Sequence, residues 1–144
     1  MNYGYYGSED KGLYVENTGF EAIHTPQSLY EVLSEIWCEY TCAPRMRKDW
    51  SPENRTLGQC SITAFLAQDL FGGDVYGIPL KEGGWHCFNV AEGHVFDLTS
   101  EQFDHPLDYS SCELQSRETH FAKQEKYERY LYLKKALEER MTGR

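Results

Sequence analysis

Cys60, His86 and Asp97 stand in the chain order of a nucleophile, a general base and the group that orients the base. A thiolate attacks an acyl carbon when an imidazole manages its proton, and a carboxylate that fixes the imidazole tautomer completes the set. Cys60 follows Gly58-Gln59 and opens an apolar run, which puts its sulfur at the head of a helix. There it faces unsatisfied backbone N–H groups and the positive end of the helix dipole. Both favour thiolate over thiol and lower a cysteine pKa from ~8.5 towards neutrality. The same N–H groups can donate to the oxyanion of a tetrahedral intermediate formed at that sulfur.

The elements that must position these groups follow from periodicity. Residues 60–71 read as a mostly buried helix with Ile62, Phe65, Leu66 and Leu70 on one face and Gly72-Gly73 as its stop. Residues 85–91 (WHCFNVA) and 94–98 (HVFDL) read as strands joined around Glu92-Gly93. With Glu92-Gly93 as a two-residue turn, Ala91 pairs with His94, and His86 is the diagonal neighbour of Asp97 on one face. A turn centred on Ala91-Glu92 instead sets His86 directly opposite Asp97. Any even loop keeps the two together, and an odd one separates them.

The remaining chain frames this centre. Thr25-Pro26 opens an amphipathic helix over residues 26–41, with Leu29, Val32, Leu33, Ile36, Trp37 and Tyr40 on its apolar stripe. A polar loop over 43–57 carries Trp50 and Asn54, and Gly58 closes it, letting a substrate approach the backbone. Residues 74–80 suit a strand whose Pro79 marks an edge or bulge. Thr99 and Gln102 have capping-box spacing, residues 104–118 read as irregular, and a charged helix covers about 119–141. The order implies an α+β fold in one domain, 1–144, with residues 1–20 as an irregular arm, a candidate lid.

Composition narrows the function. The 144 residues hold 23 acids and 14 bases, a net charge of −9, which would repel a nucleic-acid backbone. No apolar run approaches the ~18 residues of a membrane span, and the first twenty residues lack signal-peptide character. Five cysteines, an odd number, argue against a disulfide framework and for a reducing compartment, the cytoplasm. Cys38 and Cys42, at i and i+4 on the first helix, lack the further pair that zinc requires, so no metal is expected. His24, His94, His105 and His120 read as surface residues. Trp50 and Trp85 are candidates to flank a cleft as apolar walls. The final helix presents either a solvated face or, through its tyrosines, a homodimer surface.

These motifs also carry a resemblance. G58-Q59-C60 with S61-I62-T63-A64, then H86-C87-F88-N89, then F96-D97-L98-T99, is similar to the core of transglutaminase and papain-like cysteine enzymes. The stretch from about Trp50 to Phe103 resembles the YunG family of small bacterial proteins of unassigned function. The first resemblance implies a cysteine-proteinase-like fold, a central helix packed on a small antiparallel sheet, with Cys60, His86 and Asp97 as a catalytic triad. Asn54 has the spacing of the papain-like oxyanion amide, and Gln59 is the adjacent alternative. Ser61 stands where papain-like enzymes carry tryptophan, and 144 residues leave no room for the accessory domains of transglutaminases. The expectation is a cytoplasmic cysteine hydrolase, amidase or related acyl-transfer enzyme acting on a peptide or small amide, without metal or organic cofactor. The alternative is a non-catalytic binding module or partner subunit on the same fold.

Overall fold

The computed structural model describes residues 4–142. Helix α1 (Pro26–Ile36) starts with a reciprocal cap: Thr25 accepts from the Ser28 amide, and Ser28 accepts from the Thr25 amide. Leu29, Val32 and Leu33 are buried along its inner face. The helix stops five residues before the sequence boundary at 41, because Trp37 leaves helical geometry to bury its ring. Its indole Nε1 donates to Thr63 Oγ1 at 3.0 Å. Cys38 and Cys42 therefore lie beyond α1, in a turn closed by the Thr41 hydroxyl, and do not share a helix face.

The loop that follows contains a short 3-10 helix, Pro44–Asp49, and returns to Gly58. Gly58 has φ +71°, and a Cβ built there would lie 2.6 Å from Cys42 Sγ and 2.9 Å from the Ala43 nitrogen. Its carbonyl accepts from the Ala43 amide at 2.9 Å. The requirement for glycine comes from this crossing of the loop over its own start. The substrate-approach role expected from the sequence is not needed to account for it.

Helix α2 (Cys60–Phe71) is buried almost all round, as its composition implies. It lies between a sheet and α4 (Gln124–Thr142), which buries Leu133 and Leu137. The sheet comprises β1 (Asp74–Pro79), β2 (Trp85–Ala91), β3 (His94–Phe96) and β4 (Glu113–Leu114), all antiparallel in the order β3-β2-β1-β4. The fold is thus α+β with a small four-stranded antiparallel sheet. On β2, the buried Asn89 amide donates to the Ala64 carbonyl at 2.8 Å and ties the sheet to α2.

Three local readings are corrected. Residues 104–118 are not wholly irregular, since Glu113–Leu114 pairs with Tyr76 and Gly77 and covers part of β1. The C-terminal helical region is two helices: Ser116 caps α3 (Arg117–Phe121) by accepting from the Thr119 amide, and α4 begins at Gln124. Thr99 and Gln102 form no capping box, because Thr99 Oγ1 donates to Asp97 and Gln102 donates to the Thr99 carbonyl. Among the described residues of the arm, Tyr5 and Leu13 are buried and Tyr6 bridges to Asp97. No helix among the described residues is long and apolar enough to cross a membrane.

Replacing Gly58 with alanine should cost about 2 kcal/mol of stability in a denaturant titration, since it forces a positive φ on a Cβ with no free space. An unchanged midpoint would mean that the loop relaxes around position 58.

Candidate active site

The site forms where the head of α2 meets the start of β2. The N-cap residue Gln59 makes no side-chain cap, and the first backbone bond of the helix runs from Thr63 N to Gln59 O. The amides at the opening of α2 thus remain oriented towards the end where Cys60 sits. Cys60 is partly exposed, lines the main cleft, and has its Sγ 3.8 Å from the Trp85 carbonyl oxygen. That contact places the sulfur beside the two residues that follow, His86 and Cys87.

The β2–β3 hairpin turns on Glu92-Gly93, with Glu92 at φ 50° and Gly93 at φ 81°. Ala91 pairs with His94 and Asn89 with Phe96, the even-loop register that sets His86 and Asp97 on one face. Their side chains meet directly: His86 Nε2 lies 2.6 Å from Asp97 Oδ2, and each residue is only 1% exposed. Nε2 being engaged, Nδ1 is the ring nitrogen left to face Cys60. Phe103 closes edge-on over the imidazole with ring centroids 4.7 Å apart.

Asp97 is held by more than His86. The Tyr109 hydroxyl donates to Oδ2 at 2.7 Å, and the Thr99 amide donates to Oδ1 at 3.2 Å. Tyr109 is fixed in turn, stacked on Tyr6 at 4.0 Å and edge-on to Phe88 at 5.0 Å. Burial, the Asp97 charge and this hydrogen bond raise the phenol pKa, so Tyr109 remains a donor.

These contacts decide where the proton sits. Hydrogen bonding from Cys87 holds the Cys60 thiol well below its ordinary value; burial opposes this, and the hydrogen bond and charge of His86 reinforce it. Burial pulls the His86 imidazole down, but Asp97, by hydrogen bond and charge, and Cys60 outweigh it and push the pKa up to about 10. Cys87, 1% exposed and pushed up by its contact with Cys60 and by burial, stays a thiol and donates. Both shifts run in the direction that favours thiolate with imidazolium over thiol with neutral imidazole.

Other candidates are distributed unevenly. Trp85 lines the cleft. Trp50 does not: its indole donates to the Arg55 carbonyl at 3.0 Å, away from the sulfur. Asn54 lines a separate, smaller depression with Tyr30 and Glu101, so the loop does not bring its amide to the cleft. Gln59 is fully buried and its Nε2 donates to the Cys38 carbonyl at 3.1 Å, which turns it away from the site. Neither amide side chain faces Cys60, and the backbone N–H groups at the head of α2 are the donors beside it. The described arm residues lie behind Asp97 and line no part of the cleft, which removes the lid expectation for them.

Several participants escaped the sequence reading. Cys87 could have been found from its place beside His86 on a strand facing the Cys60 helix. Tyr109 lies in a segment without periodicity and gives no such signal. His120, expected on the surface, is buried and lines the cleft.

The comparisons with known proteins agree with the resemblance to the YunG family. The family model described as YunG protein matches residues 25–142, and the chain belongs to the YunG family. It is 34% identical over 112 residues to "Uncharacterized protein YunG" of Bacillus subtilis (strain 168), an alignment covering 78% of this chain and 90% of that protein. No solved structure matches the chain.

Two measurements probe this geometry. Asp97→Ala should lower stability by about 3–5 kcal/mol, because it removes one partner of a buried ion pair and strands the donors that faced it; Tyr109→Phe should cost about 1.5–3 kcal/mol, the loss of one hydrogen bond to a charged group. The pH profile of Cys60 alkylation by iodoacetamide should titrate well below that of an ordinary thiol. His86→Asn should move that titration upward, since removing the cation disfavours thiolate. A Cys60 profile like that of a free cysteine in solution would rule out the ion pair.

Proposed function

We propose that this protein is a cysteine-dependent acyl-transfer enzyme, an amidase- or peptidase-like hydrolase built on a transglutaminase/papain-like core. The observation that carries the reading is the buried His86–Asp97 pair, 2.6 Å apart, set beside the Cys60 sulfur at the head of α2. Such an arrangement has a cost, since His86 and Asp97 are withdrawn from water. It suits a site that needs a nucleophile ready at neutral pH.

The Cys60 thiolate attacks the amide carbonyl carbon, and the carbonyl π electrons move onto oxygen. Backbone N–H groups at the opening of α2 accommodate that oxyanion. As the tetrahedral intermediate collapses, the C–N bond breaks and the imidazolium of His86 gives its proton to the departing amine. The acyl group is left as a thioester on Cys60, with His86 neutral. Water then attacks the thioester as His86 takes its proton, the carboxylic acid leaves, and the thiolate–imidazolium pair is restored. Asp97 holds the Nε2–H throughout, so Nδ1 always faces the reacting atoms. Cys87 supports the thiolate without entering the sequence.

The direct test uses an activated acyl donor, p-nitrophenyl acetate, under limiting turnover. Wild-type protein should gain one acetyl group at Cys60, localised by peptide mass spectrometry and removed by hydroxylamine. Cys60→Ser should lose that label, and His86→Ala should slow labelling by about 10²–10⁴-fold. Acetylation spread over lysines, with Cys60 unmodified, would contradict the proposal.

A further inference from the structure

The cleft at Cys60 has about 830 Å³ of space, within the range of small-ligand sites and more than one amide group fills. Its charge is opposite to that of the molecule. The chain carries −9 overall, yet Arg45, Lys123, Lys126 and Arg129 line the cleft against only Glu82 and Glu125. Arg129 is already satisfied, being buried, ion-paired to Glu125 and donating to the Thr41 carbonyl at 2.8 Å. The other three cations form no ion pair among the described residues.

Lys126 is the informative one. It is partly buried, and its Nζ donates to His120 Nδ1 at 2.9 Å. His120 is locked in the matching tautomer, because its Nε2–H donates to Gln115 Oε1 at 2.8 Å. Burial and the Lys126 charge hold that imidazole down to about 4, so it is neutral and offers the ammonium no counter-charge. An ammonium desolvated against a neutral ring is unfavourable unless an anion meets it. Lys126 keeps two further N–H bonds, and it lies near enough to the sulfur for a negative charge on Cys60 to favour the ammonium. Arg45 approaches from another element: its Nη2 lies 3.7 Å from where a Cβ on Gly84 would sit, next to Trp85, whose carbonyl touches the Cys60 sulfur.

We infer that Lys126, with Arg45 and Lys123, forms a carboxylate-binding subsite, and that the substrates of Cys60 are amides flanked by a carboxylate, as in an acidic peptide segment. This rests on the acyl-transfer reading of the cleft and adds the substrate class. Three separate side-chain cations suit an extended acidic segment better than one compact anion, and they act by steering as well as by contact. The shared chemistry is a carboxylate near the reacting carbon, whether on a side chain or at a chain terminus.

Three isosteric alkylating probes test it on the intact protein: N-iodoacetyl-glutamine amide, which is neutral; N-iodoacetyl-glutamate α-amide, with a side-chain carboxylate; and N-iodoacetyl-glutamine, with a terminal one. All three meet the same thiolate, so the ratio of their rates at Cys60 is independent of its pKa. At low ionic strength one or both charged probes should react about tenfold faster than the neutral probe, and the faster one identifies the carboxylate source. The ratio should fall towards one as salt is raised to about 1 M, where screening acts within ~3 Å. It should also collapse in an Arg45→Gln/Lys123→Gln/Lys126→Gln variant, while the salt series in the wild-type protein needs no variant to fold. Fast alkylation of Cys60 without charge preference, or a preference that the triple variant keeps, overturns the subsite alone. Uniformly slow alkylation of Cys60, no faster than Cys112, overturns the acyl-transfer reading beneath it.

Discussion

The carboxylate of Asp97 is the fixed point of this molecule. It is buried to 1% exposure, and a buried carboxylate is tolerable only when donors surround it. His86, Tyr109 and the Thr99 amide supply them. A negative charge there favours the protonated His86 ring against the opposing effect of burial, and that ring in turn favours the Cys60 thiolate. Charge is thus relayed along the site while only one proton, on His86, is placed by it. Without the carboxylate, burial would favour the neutral imidazole and the neutral thiol.

The architecture exists to bring these three groups together from distant parts of the chain. Helix α2 is apolar around most of its circumference and can only be stable between two layers, which the sheet and α4 provide. Its first residue, partly exposed, carries the sulfur. The Asn89 amide on the Ala64 carbonyl and the Trp37 indole on Thr63 restrict sliding of α2 against its neighbours. The arm contributes from behind: the Asp97 amide donates to the Tyr6 carbonyl at 3.0 Å, and the Tyr6 ring stacks on Tyr109. The pieces that surround Asp97 therefore come from residues 6, 86, 99 and 109.

What could be read in the sequence is what local patterning controls. The limits of α2 followed from an apolar run between Gly58 and Gly72-Gly73, while the sequence left two hairpin registers open, of which the structure takes the one turning on Glu92-Gly93. The longer first helix failed because Trp37 gains more from burying its ring on α2 than from continuing the helix, a tertiary effect invisible in periodicity. The two-residue β4 is too short to show alternation. Asn54 has suggestive spacing from Cys60, but sequence distance across a folded loop does not fix direction, and its side chain lies by Tyr30 and Glu101. Tyr109 and Lys126 reach the site from segments whose composition says only polar and charged. Polar contacts of high sequence separation were the part that pattern could not supply.

The protonation of His86 is the quantity on which the whole account turns. Nitrogen-15 NMR of the labelled protein, followed from about pH 5 to about pH 9, reads it without substrate or mutation. Both ring nitrogens of His86 are expected to carry protons throughout that range. A His86 signal that turns neutral near the ordinary histidine value, or is neutral from the start, would contradict it.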